Sequence, residues 1–298
     1  MVLLKISGSH FIFEVNLASN TVSSYQVSTS GTSATKIGSY STESGCGPIS
    51  LTSNPGNTVI YVGCQDGGID TYTINSNGSL TPLQAPAYTA GSNYDIESMA
   101  VDSTDSYLVV NAGINTTQSE FLLLTIGGGG ALTLKASQTG FTGWAPVLVQ
   151  DPVTTHGNYY YAGGTSDSNY FTITATSSSI SVTANSASVE EVFPVWIDPT
   201  GTWLSMLYSA PNTPTSTSMQ QYTISSSGSL SANGSEVSVN SQGTVSSSLG
   251  GYDSTSGFVI VRAESNILVF GYNSFNGSLT LKNSGLGGNE GFAYFQID

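Results

Sequence analysis

Positive charge is almost missing from this chain of 298 residues: five Lys and Arg face nineteen Asp and Glu, a formal net charge of −14. Nucleic-acid binding draws on cations that displace the counterions condensed on phosphate, so this balance excludes nucleic acid as a partner. It disfavours anionic lipid headgroups for the same reason. Long apolar runs are missing too. None approaches the roughly 20 residues of a membrane-crossing helix, and no membrane insertion is expected. Histidine is limited to His10 and His156 and cysteine to Cys46 and Cys64, with no zinc-ligand spacing among them. Phosphate loops of the Gly-x-x-x-x-Gly-Lys type and Gly-x-Ser-x-Gly nucleophile elbows do not occur. The apolar opening, residues 1–7, is too short for the core of a signal peptide. Charged residues of both signs make up only 8% of the chain, so solubility rests on hydroxyl and amide groups.

What is abundant is Ser, Thr, Gly and Asn, and these residues punctuate a repeat. Each unit opens with a short apolar strand ending in a turn, followed by a strand rich in Val, Tyr and Leu. Residues 49–63 and 99–111 are two copies; 147–152 with 159–162, 195–199 with 203–208, and 246–253 with 258–262 are others. The turn residues Ser53, Asp102, Asp151, Asp198, Asp253 and Asp298 are spaced 49, 49, 47, 55 and 45 apart, a regularity that marks an internal repeat. Third and fourth strands flank Gly-Ser-Leu turns at 69–81, 219–230 and 268–280, where Asn-Gly or Ser-Gly supplies the positive φ of a tight hairpin. Four strands per period and no helical segment predict an all-β fold: a β-propeller of four-stranded blades, with 1–298 as a single domain. Six repeats are counted when 11–16 and 21–27 serve as second and third strands of the first; a seven-bladed ring is the alternative. Residues 291–298 read as a first strand without the rest of its unit, so N- and C-terminal strands are expected to close the ring, with 1–7 and 292–298 competing for one position.

In the run from Phe11 to Ser28, a strand ending in Asn leads through Ser-Asn-Thr-Val to a strand containing an aromatic residue. That run, the Asn-Gly-Ser-Leu-Thr hairpins and the stretch from Asp198 to Trp203 resemble the lactonase-like β-propellers over nearly the whole chain. The family includes 6-phosphogluconolactonase and muconate-cyclising enzymes, normally with seven blades, and many secreted or surface members of unassigned function. The resemblance implies cationic and acid/base groups acting on anionic substrates. Here Arg262 is the only arginine, and Lys5, Lys36, Lys135 and Lys282 fall in or beside strands. His10 and His156 are both expected in turns between first and second strands, on the face opposite the usual propeller site.

The loops expected on the functional face collect Glu43, Asp66, Asp95, Glu97, Asp167, Glu190, Glu191, Glu264 and Glu290. Carboxylates that converge in a funnel repel one another, which raises their pKa values or recruits a cation; Ca²⁺ suits an all-oxygen set, with Glu43, Asp66 and Glu190 as candidate ligands. Rings beside such acids suit a glycan or another small molecule, and Tyr94, Trp144, Phe193 and Asp95 are the candidate binding residues. Phe141, Tyr170 and Phe292 flank the same loops, whereas Trp196 and Trp203 are expected to pack between blades. Cys46 and Cys64 flank antiparallel strands of one blade, which permits a disulfide; two free buried thiols are the other reading. A disulfide fits an extracellular or cell-surface location. The leading expectation is a secreted or surface-exposed binding or structural module for carbohydrate or a cation. The alternative is a hydrolase of a lactone or sugar-derived ring, with Glu97, Glu191, Glu290 and Arg262 as candidate catalytic residues. Self-association through terminal strands, giving a self-assembling structural protein, is a further alternative.

Overall fold

The computed structural model describes residues 1–29, 33–114, 118–142, 144–152, 158–165, 169–186, 191–209, 217–238, 249–253, 258–263 and 266–284. These residues form six four-stranded sheets, each strand hydrogen-bonded to its neighbours in sequence. The first sheet holds β1 (Val2–Ile6), β2 (Ser9–Asn16), β3 (Thr21–Val27) and β4 (Ala34–Ser41). The second holds β5 (Pro48–Ser53), β6 (Val59–Cys64), β7 (Gly68–Ile74) and β8 (Leu80–Thr89). The third is β9 (Tyr94–Val101), β10 (Tyr107–Ile114), β11 (Gln118–Ile126) and β12 (Leu132–Thr142). The fourth is β13 (Trp144–Gln150), β14 (Asn158–Thr165), β15 (Asn169–Ala175) and β16 (Ile180–Ser186). The fifth is β17 (Glu191–Ile197), β18 (Trp203–Ser209), β19 (Thr217–Ile224) and β20 (Leu230–Ser238), and the sixth is β21 (Leu249–Asp253), β22 (Phe258–Ala263), β23 (Asn266–Tyr272) and β24 (Leu279–Ser284). The chain divides into two compact units, residues 1–145 with 175–181 and residues 146–174 with 182–298.

These all-β sheets are propeller blades, as the repeat predicts. Their burial explains why β6, β10 and β11 read as apolar runs rather than as alternating strands. β6, β7, β10 and β11 are buried along almost their whole length, while the fourth strands β4, β8 and β20 are largely exposed. A strand covered on both faces needs apolar side chains at even and odd positions alike. The covering comes from stacking of consecutive sheets within each unit. Phe11 and Phe13 of the first sheet pack with Ile60, Val62 and Tyr72 of the second, and Tyr61 and Ile69 of the second pack with Ile96, Val110 and Leu122 of the third. In the other unit Tyr161 packs with Val192, Leu204 and Met206, and Phe193 with Val259 and Phe270. Trp196 and Trp203 lie against that last cluster, so both are packing residues.

The turn between first and second strands is held by one side chain. Asp198 Oδ1 accepts the backbone N–H groups of Thr202 and Trp203, each at 2.7 Å, and Asp102 Oδ1 accepts those of Ser106 and Tyr107, each at 2.6 Å. The equivalent residue in the second sheet is Asn54, not Ser53: Asn54 Oδ1 accepts from Thr58 at 2.8 Å and Val59 at 2.9 Å. The period therefore starts one residue later there than the spacing of turn residues implies. His10 also departs from expectation, because the first turn is Ser7 and Gly8 and His10 already lies in β2, opposite Lys5. His156 lies outside the described residues. β1 pairs with β2 as the first strand of its sheet, and residues 291–298, expected to help close the ring, lie outside the described residues.

Candidate functional site

Within the first unit, the turns after β2 and β6 and the loops after β4 and β8 come off the same ends of their sheets. Backbone and side-chain hydrogen bonds link them in series. Asn20, at φ 54°, donates from Nδ2 to the Glu43 carbonyl at 2.9 Å, and its Oδ1 accepts Gly47 N–H at 2.7 Å. Gln65 N–H is shared by the carbonyls of Cys46 and Gly47 at 2.9 and 3.1 Å, and Ala90 N–H reaches the Gly67 carbonyl at 2.9 Å. This edge carries Glu43, Asp66, Tyr94, Asp95 and Glu97.

Glu97 is placed by a β-bulge. Asn111 of β10 pairs with Ser98 and Ala112 pairs with Ile96, so Glu97 is the extra residue of β9. Bulges re-aim a side chain out of the regular alternation and are common beside active sites. The space for Glu97 is left by Gly113, where a Cβ would stand 3.0 Å from Glu97 Oε1. Burial pushes the Asp95 carboxyl above its ordinary pKa. Tyr94 is raised by its hydrogen bond to Glu120, with burial adding to the shift, and Glu120 is itself only 8% exposed on β11. Burial, then the Glu120 charge, likewise raises Tyr88.

The second feature of the edge is a disulfide. Cys46, in the loop before β5, and Cys64, at the end of β6, are bonded with their Cα atoms 4.8 Å apart. Asp70 lies beside them for a reason visible in the ladder. Val62 pairs with Asp70 across β6 and β7, and Cys64, two residues on from Val62, points to the same face. The Cys46 and Cys64 sulfurs and one Asp70 carboxylate oxygen lie within 4.8 Å of one another, the only group of three potential metal ligands this close among the described residues. Asp70 is 0% exposed; Oδ2 accepts Glu43 N–H at 2.8 Å, and Oδ1 is buried without a partner. Burial pushes its pKa from 3.8 up to about 6, against the Glu43 N–H, which lowers it, and with the Glu43 and Asp66 charges, which raise it further.

That shift sets a pH dependence. The native state holds the Asp70 proton more tightly than the unfolded chain, so between about pH 4 and pH 6 stability falls as pH rises. Asp70→Asn is expected to remove this slope, melting above the wild type at pH 8 and level with it near pH 4. Thermal denaturation across that range checks it, and parallel curves for the two proteins would contradict it.

The remaining candidates are more scattered. Phe193 is fully buried between sheets, where it packs rather than binds. Glu191 opens β17 opposite Ser209, Arg262 pairs with Leu249 and Ile267 on β22, and Trp144 opens β13. Glu190 and Glu290 lie outside the described residues. Asp70 and Glu120 were not among the sequence candidates, because both lie within strands and the candidates were drawn from the loops. The signal for Asp70 was its place in the hairpin that starts at Cys64.

No protein-family model and no curated relative matches the chain. Solved structures do. A 6-phosphogluconolactonase-like protein from Bacteroides fragilis superposes with a TM-score of 0.69 at 13% identity, over 94% of this chain and 82% of that one. The periplasmic gluconolactonase of Pseudomonas aeruginosa gives 0.69 at 11% identity, over 93% and 82%. A protein from Lactobacillus plantarum gives 0.67 at 13%, over 93% and 81%. The fold is that of the lactonase-like β-propellers, in agreement with the resemblance drawn from the repeats. Among the described residues, no helix is long and apolar enough to cross a membrane.

Proposed function

We propose that the chain hydrolyses an uncharged lactone of a sugar acid, with Glu97 as the base that activates water. The observation that carries this reading is the bulge in β9, whose extra residue is a half-buried carboxylate with room made for it by Gly113. Glu97 takes a proton from water, the hydroxide adds to the lactone carbonyl carbon, and the acyl C–O bond opens as the ring oxygen is protonated. Tyr94 and Asp95 precede Glu97 on the same strand and suit hydroxyl groups of a sugar ring. The substrate is uncharged because a net charge of −14 with a single arginine offers little to hold a phosphate. A gluconolactonase and a 6-phosphogluconolactonase-like protein of the same fold support this reaction class.

Hydrolysis of δ-gluconolactone, followed by indicator absorbance, tests it. Glu97→Gln is expected to lower kcat about 100-fold or more with KM little changed, as loss of a general base does. A variant as active as the wild type, or a wild type no faster than spontaneous hydrolysis, would rule the reading out. The scarcity of cationic groups favours one other reading, a neutral-glycan binding module outside the cytosol, to which the disulfide is suited. Calorimetric binding without turnover, retained by Glu97→Gln, would favour that second reading.

A further inference from the structure

The lactone chemistry uses neither the buried cysteine pair nor Asp70. A buried carboxylate oxygen normally has a partner, and an orphaned one calls for an explanation such as an ion or a missing donor. Asp70 Oδ1 is such an atom, and the same carboxylate lies beside the Cys46 and Cys64 sulfurs. In the oxidised protein a disulfide offers it neither a proton nor a charge. Reduction changes both.

We infer that the reduced protein holds a thiophilic divalent cation of the zinc class between Cys46 Sγ, Cys64 Sγ and Asp70. The three ligand atoms already lie within 4.8 Å of one another, and the sulfurs need only separate once their bond is broken. The ligand set decides the kind of ion. Two thiolates and one carboxylate favour zinc-class ions over Ca²⁺, which takes oxygen ligands throughout. The Glu43 N–H on Oδ2 at 2.8 Å fixes the carboxylate so that its other oxygen remains available, the orienting role usual for groups around a metal. The fourth position falls to water. Glu43 and Asp66 act on Asp70 electrostatically and draw a cation toward the group.

The steps balance. A dithiol reductant gives two electrons and two protons to the disulfide, becoming a disulfide itself and leaving two protein thiols; the cation then displaces two thiol protons. The site is therefore closed while the pair is oxidised and opens on reduction. Such a site goes beyond the lactonase reading and does not depend on it.

Co²⁺ titration of the full chain, with and without phosphine reductant, tests the inference by thiolate-to-cobalt charge-transfer absorption. The reduced protein is expected to bind one Co²⁺ that Zn²⁺ displaces, and the oxidised protein none. Asp70→Asn is expected to weaken binding about tenfold or more, and Cys46→Ser to abolish the charge-transfer band. If reduction unfolds the chain, far-UV circular dichroism with added Zn²⁺ decides. Recovery of the fold supports the site, and no recovery overturns it. A folded, reduced protein that binds no Co²⁺, or an Asp70→Asn variant that binds as tightly as the wild type, also overturns it.

Discussion

Gly163→Ala is expected to cost about 3 kcal/mol or more, the upper end of what overpacking against a fixed backbone costs. Gly163 lies on β14, where a Cβ would overlap the Val192 carbonyl oxygen and stand 2.6 Å from Pro194 Cδ. Neither obstacle is the free end of a flexible side chain. β17 is the strand in the way, and Val192 belongs to the cluster that packs the fourth sheet on the fifth, so relief of the overlap would push these sheets away from each other. Gly63 stands in a comparable position on β6, where a Cβ would meet Ile96 Cγ2 at 2.5 Å. Urea denaturation measures the loss. Gly128→Ala is the control, since nothing lies within 4 Å of a Cβ there, and its midpoint is expected to match the wild type. A Gly163→Ala midpoint equally unmoved would mean that the two strands do not approach as described.

Asp198→Ala is the second large effect, about 3 kcal/mol, because it removes a buried carboxylate that accepts three backbone N–H groups of its turn. Two of them, from Thr202 and Trp203, are bound at 2.7 Å, and the third, from Thr200, at 3.2 Å. The Thr200 hydroxyl also donates to the same carboxylate. Asp198→Asn is expected to cost far less, about 1 kcal/mol or under. The basis is Asn54, which performs the same task with one amide oxygen while its Nδ2 donates to Thr58 Oγ1 at 3.0 Å and to Asp105 Oδ2 at 2.7 Å. Chemical denaturation of the two variants side by side checks the ranking. Equal losses would mean that the turn depends on the negative charge, not on the accepted hydrogen bonds.

The blades were legible in the sequence because hairpin chemistry is local. Residues 21–27, expected as a third strand, are β3 to the residue, and the Gly-Ser-Leu turns lead from third to fourth strands as expected, although the Asn-Gly-Ser at 233–235 lies within β20. The error at Ser53 is instructive. Ser, Asp and Asn all favour turns, so composition could not say which of two adjacent polar residues accepts the turn's N–H groups; only the hydrogen bonds of Asn54 do. The site was only partly legible. Glu97 was a candidate through its place in a loop-rich stretch, but its bulge depends on pairing between β9 and β10, which residue spacing does not encode. Phe193 was misjudged because an aromatic near an acid looks the same whether it faces a ligand or the next sheet. Asp70 and Glu120 escaped notice because both middle strands are covered on two faces, a condition set by neighbouring sheets.

The loops on the site's edge also share a fate. Asn20 ties the turn after β2 to the loop before β5, that loop is tied to Gln65, and Gly67 is tied to Ala90. No one of these segments can lift away from the body without breaking bonds to its neighbour, so a protease that needs several residues of slack must open adjoining loops together. The hairpin tips between third and fourth strands differ: 75–79 closes on itself, whereas 225–229 is held to the fourth sheet by the Tyr161 hydroxyl, which donates to the Gly228 carbonyl at 2.9 Å. Nicking is thereby directed to the tip at 75–79, where a cut leaves the Glu97 and Asp70 surroundings intact.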